Sequence, residues 1–196
     1  MTYLRASRWL PALILLTMVV TSSAFLVACG ANRESQTVRS TLPEGWKRHQ
    51  STRHGYSVVY PADWEIEAIE KGASGGITQF YEPKTGVSFA VAVGPTRETN
   101  VKDYVDANKV SLKEGATYLR EGPIIINGRQ GYELVLTLPS QFFGRAFKPG
   151  NLKNRQIAFL VQGKVYVVTT TALQDEYPNY NELFEKVMNS FIVPNQ

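Results

Sequence analysis

Three groups of residues in this 196-residue chain are of types that do chemistry. The string Gly72-Ala73-Ser74-Gly75-Gly76 satisfies G-x-S-x-G, the spacing that lifts a serine nucleophile onto a sharp strand-to-helix turn, with an acid and then a histidine downstream. Here a strand pattern follows Ser74, and both histidines, His49 and His54, come before it. The order is wrong for a serine hydrolase, which stays the last of the alternatives, and the string reads as a flexible hairpin tip. His49 and His54 flank a turn rich in Ser, Thr and Arg, and with Asp63 they are the nearest thing to a metal site. Zinc takes about three or four protein ligands, and Cys29, the single cysteine, has another use. The pair therefore reads as solvated histidines at strand ends. Phosphate cradles, paired catalytic carboxylates and dinucleotide fingerprints are missing, so the expectation is a chain that is not an enzyme, with no catalytic and no metal-ligating residues.

Cys29 closes the run Leu26-Val27-Ala28-Cys29, at the end of a stretch headed by Arg5 and Arg8 and uncharged from Trp9 to Asn32. A basic start, an apolar segment and small residues at the cut are what an export signal requires. The run resembles the lipobox of bacterial lipoproteins. That resemblance implies diacylglyceryl transfer to the Cys29 sulfur, cleavage before Cys29, and acylation of the new amine by a fatty acid such as palmitate. Residues 1–28 are then a lipoprotein signal peptide, and the protein works on the extracytoplasmic face of a bacterial membrane. An uncleaved anchor is the alternative, because the uncharged stretch is long enough for a hydrocarbon core of ~30 Å. Ser22, Ser23, Ala28 and Gly30 suit processing better than a deep membrane end. Both readings leave the same domain outside. One acyl chain holds a protein marginally, whereas two or more hold it stably. With one cysteine no intramolecular disulfide forms, and an exported domain must rest on its apolar core.

Those residues need a scaffold. Residues 29–44 carry the cysteine and a polar tether; as a flexible coil the tether would average ~20 Å end to end and reach ~50 Å stretched. Residues 45–196 suit one domain. Without Arg5 and Arg8 the chain has 19 basic against 17 acidic residues, too small an excess to indicate a nucleic-acid partner. Short alternating segments between turn signals predict an antiparallel sheet of hairpins: 46–50, 56–60, 64–69, 77–82, 87–93, 117–122, 124–127, 130–138, 155–162 and 165–172. Asn127-Gly128 and Gln162-Gly163 supply residues that tight hairpins hold at positive φ. The spacing predicts a helix over 101–114, capped by Thr99 or Asn100 and stopped by Gly115, and a second over 181–191. Each has one apolar stripe, Val101, Tyr104, Val105 and Leu112 in the first, Leu183, Phe184, Val187, Met188 and Phe191 in the second. Each must cover a sheet, which gives an α+β fold around one antiparallel sheet.

The run Gly55-Tyr56-Ser57-Val58-Val59-Tyr60-Pro61-Ala62-Asp63-Trp64-Glu65, the mid-chain helix and the closing Met188-Asn189-Ser190-Phe191 resemble the PsbP-like family of photosystem II extrinsic proteins and their lipoprotein relatives, over residues 46–193. The resemblance implies an α/β/α sandwich, an antiparallel sheet between helices. It points to a photosystem-related complex as partner, and it alone raises a divalent cation, calcium among them, as a cofactor. No ligand motif in this chain carries that over, so the cofactor expectation is none.

The segment Pro139–Asn154 is long for a hairpin connection, and such loops tend to be functional. Phe142, Phe143 and Phe147 sit there among Arg145, Lys148, Lys153 and Arg155. From Leu134 through Gln174 there are five Lys or Arg and no acid. Aromatic and cationic groups together suit an anionic membrane surface or an acidic partner. The competing reading folds the phenylalanines back over an open edge of the core. The functional expectation is a lipid-anchored, extracytoplasmic, non-catalytic binding or assembly module of a membrane complex. It acts as a monomer, holds membrane lipid through Cys29, and makes its contacts through Phe142, Phe143, Arg145, Phe147 and Lys148. The alternative is a metal- or small-molecule-binding lipoprotein.

Overall fold

The computed structural model describes residues 42–71, 75–109, 115–142 and 148–193. Among the described residues, nine strands and two α-helices follow one another as β1 (Trp46–Gln50), β2 (Ser57–Pro61), β3 (Glu65–Lys71), β4 (Gly75–Tyr81), β5 (Ser88–Pro95), α1 (Val101–Lys109), β6 (Thr117–Ile126), β7 (Arg129–Pro139), β8 (Asn151–Val161), β9 (Lys164–Leu173) and α2 (Asn181–Ser190). Seven strands make one antiparallel sheet in the order β3-β4-β5-β9-β8-β7-β6. The described residues form one compact unit.

The sheet carries a core on each face, as alternation requires. On one face, Phe80, Phe89, Val91, Ile157, Phe159 and Val168 meet Tyr56, Val58 and Tyr60 of the β1–β2 hairpin and Phe184, Val187 and Met188 of α2. On the other, Tyr132, Leu134, Leu136, Ala158 and Val165 meet Val105 of α1. The expected sandwich is therefore present. One feature departs from the single-sheet expectation: β1 and β2 form a separate two-stranded sheet. The outer edge of β2 is taken by the C-terminal segment instead, since Ser57 and Ile192 exchange backbone hydrogen bonds of 2.9 Å and the Val59 N–H donates to Ser190 Oγ.

The two strands expected at 117–122 and 124–127 are one, β6. A bulge between Tyr118 and Arg120 irregularises its pairing with β7, and Pro123 is tolerated because β6 is an edge strand. The strand β8 begins at Asn151, four residues before the expected Arg155, so the connection after β7 is shorter than the sequence indicated. The first helix starts where expected, with Asn100 Oδ1 accepting the Asp103 N–H at 2.9 Å. Its predicted last turn lies outside the described residues.

The β6–β7 turn does more than reverse the chain. Asn127 takes φ 52° and Gly128 φ 74°, and the Asn127 amide donates to the carbonyls of Asn189 and Phe191 at 2.8 and 3.0 Å. It thereby satisfies the open end of α2. Asn127→Ala removes both bonds and puts a Cβ-bearing residue without asparagine's tolerance at positive φ, so a loss of about 2 kcal/mol is expected in urea unfolding. Asn127→Gly keeps the turn and should lose less.

Candidate functional site

The connection between β7 and β8 opens with a short 3-10 turn, Ser140–Phe142. The Ser140 N–H donates to the Gly150 carbonyl at 2.8 Å, which closes the base of the loop. Lys148 is exposed. Phe143, Arg145 and Phe147 lie outside the described residues, as does Cys29. Phe142 is placed by its backbone in the 3-10 turn.

Arg155, grouped with these cations by sequence, faces elsewhere. Position 155 lies within β8 and pairs with Val135 and Thr170, on the face under α2. Its Nε lies 2.6 Å from Glu133 Oε1, its Nη1 pairs with Glu185 of α2, and Arg120 joins at 2.8 Å from the other Glu133 oxygen. Burial would lower the Arg155 pKa, but the hydrogen bond it donates to Glu133 and the charges of Glu185 and Glu133 outweigh it and raise it. The acid that neutralises Arg155 stands one residue outside the acid-free span, so a linear charge count missed it. Lys153 lies 4.6 Å from the ring centroid of Tyr177, a cation–π arrangement that holds it against the domain.

The histidines are also absorbed by packing, contrary to the solvated reading. His54 is 8% exposed, its N–H donates to Ser51 Oγ, and its carbonyl accepts the Tyr166 hydroxyl at 2.9 Å. The His49 ring lies 5.8 Å from Tyr56 and 5.3 Å from Phe80. The reason is register: His49 pairs with Val58 of the buried strand β2, so it shares the strand's interior. Burial lowers the His49 pKa from its ordinary 6.5. The unfolded chain then binds a proton more readily than the folded one, so stability is full above about pH 6.5 and falls as the pH drops toward the lowered folded value. Melting temperature measured from pH 7.5 to 5.5 should decline less in His49→Gln than in the native chain; equal slopes would contradict this. No group of three or more His, Cys, Asp or Glu among the described residues is arranged to hold a metal ion.

Ser74 lies outside the described residues, but its flanks are informative. Lys71 pairs with Gly75, and the strand β4 follows directly. A nucleophile elbow needs a helix there.

Sequence reasoning missed a cleft on the face beneath α1. Two adjoining hollows, about 270 and 280 Å³, share Ala92 and Tyr104. Burial raises the Tyr104 pKa above its ordinary 10.0. The sequence signal for the cleft is the small residues Ala92 and Ala158 in the interior of strands β5 and β8.

A sheet faced by one helix on each side, with a separate N-terminal hairpin, defines the class. The PsbP family model matches residues 44–193, and the chain belongs to the PsbP family. The solution structure of cyanobacterial PsbP (CyanoP) from Synechocystis is similar at 17% identity and TM-score 0.57, over 79% of this chain and 96% of that one. A crystal structure of a Pseudomonas aeruginosa protein of unknown function, described as a putative regulator, is similar at 18% identity and TM-score 0.52, over 77% and 98%. At these identities the likeness is one of fold. No curated protein sequence matches the chain significantly.

Proposed function

We propose that this protein is a lipid-anchored, extracytoplasmic, non-catalytic module that binds or helps assemble a membrane complex, photosystem-related by its family. Acylated Cys29 holds it to the membrane, and the β7–β8 loop makes the contact. One geometric observation carries the orientation. Tyr56 of the hairpin hydrogen-bonds Thr78 of β4, while Tyr60 packs on Phe80 of the same strand. The strand β2 therefore runs along β4 toward the sheet end from which the β7–β8 loop leaves. Trp46, where the chain enters the domain, pairs with Pro61 at that end of β2. The tether therefore enters the domain at the end of the sheet that carries the loop, which supports a contact made there. The exposed Lys148 on that loop suits an anionic surface or an acidic partner.

The test is cross-linking in native membranes with identification of the captured partner. Replacing Phe142, Phe143 and Phe147 by Ser is expected to lower capture several-fold with the melting temperature unchanged. A matching loss of thermal stability would assign the three rings to the core.

A further inference from the structure

The cleft beneath α1 is built from one register row. Ala92 of β5, Val167 of β9, Ala158 of β8 and Tyr132 of β7 are successive partners across four strands. All four line the same hollow, and Tyr104 and Val105 of α1 form its opposite wall. Two alanines in a row otherwise made of Val and Tyr leave the helix standing off the sheet, and that gap is the hollow. The next row supplies polar groups, because Thr169 pairs with Gln156 and both line the space.

Its chemistry is apolar below and hydrogen-bonding at the sides. The hydroxyls of Tyr104, Tyr132 and Thr169 make no hydrogen bond to another described residue. The Gln156 amide donates to Asn154, and its carbonyl oxygen stays available. Charge decides the class of occupant. Among the described residues the only charged side chain lining either hollow is Lys109. Its ammonium pairs with Glu121 and, at 3.2 Å, with Asp106. These ion pairs raise its pKa, so it stays protonated and compensated. A ligand carboxylate or phosphate there would face two carboxylates already holding that cation, and a ligand cation would meet an ammonium. An uncharged ligand loses nothing on either count.

From this we infer that the cleft between α1 and the sheet is a binding site for a small, uncharged, ring-sized amphipathic molecule, its apolar body over Ala92 and Ala158 and a hydroxyl or carbonyl among Tyr104, Tyr132 and Thr169. This goes beyond the membrane-module reading and does not depend on it. Mostly apolar walls with a few convergent polar groups are the usual makeup of such sites.

The probe is 2-naphthol, uncharged at pH 7, titrated calorimetrically into the full-length chain in lipid nanodiscs, with empty nanodiscs as blank. The expected result is saturable binding at one site, with 2-naphthoate, the anionic analogue, at least ten-fold weaker. Ala92→Leu, which fills the floor, should weaken 2-naphthol at least ten-fold without changing the melting temperature. Thr169→Val keeps the shape and removes a hydroxyl, so it should cost about three- to ten-fold. It serves as the deciding variant if Ala92→Leu lowers stability. No saturable binding of 2-naphthol, equal affinity for the anion, or native affinity in a folded variant would overturn the inference.

Discussion

Replacing Cys29 by serine is expected to reduce incorporation of radiolabelled palmitate to background and to leave residues 1–28 attached. The thiolate is the nucleophile among such side chains, and a hydroxyl at the same position does not take the diacylglyceryl group. The predicted effect is all-or-none because Cys29 is the only thiol in the chain. Two acyl chains or more turn marginal attachment into stable attachment, each buried methylene contributing about 0.8 kcal/mol. The native protein should therefore stay in the membrane pellet after an alkaline wash. Label retained by Cys29→Ser, or a leader still removed, would contradict the lipobox reading.

Phe184→Ala should be the most damaging single change to the fold. Phe184 is 1% exposed and lies between α2 and the sheet, its ring 5.0 Å from Tyr177 and 6.1 Å from Tyr180. Truncating a buried phenylalanine costs about 3–5 kcal/mol, from lost transfer energy and from the cavity left behind. In a domain of this size the melting temperature should drop by on the order of 10 °C. Ile125→Ala is the control. It removes an apolar side chain that is 71% exposed on edge strand β6, and surface changes of that kind stay within about 0.5 kcal/mol. A similar loss from both would mean that α2 does not seal the core.

What the residues announced, and what they hid, follows from the range of the signals. Local alternation and turn chemistry placed the strands within a few residues. Asn127-Gly128 and Gln162-Gly163 reverse the chain at positive φ as their types require. The helix stripe ending in Phe191 identified the side of α2 that packs inward, with Phe184, Val187 and Met188 buried. Long-range pairing was not legible. Nothing near β1 or β2 in sequence says that they leave the main sheet, because that choice depends on Ile192, more than a hundred residues away, bonding to Ser57. The same limit misplaced Arg155. Its neighbours in sequence are basic and polar, while its partners, Glu133 and Glu185, arrive from β7 and α2. His54 was misjudged likewise, because Tyr166, which donates to its carbonyl, belongs to β9. The cleft was invisible for a subtler reason: two alanines mean little until register sets them in one row, on either side of Val167, with α1 above.

The intact mass of the protein purified from its own bacterial membranes tests the central claim, that Cys29 is made into a lipid anchor and holds a PsbP domain outside the cell's inner compartment. The predicted mass is that of residues 29–196 carrying a diacylglyceryl thioether and an amide-linked acyl chain. A chain that begins at Met1 with a free sulfhydryl at Cys29, recovered from the cytosol, would contradict it.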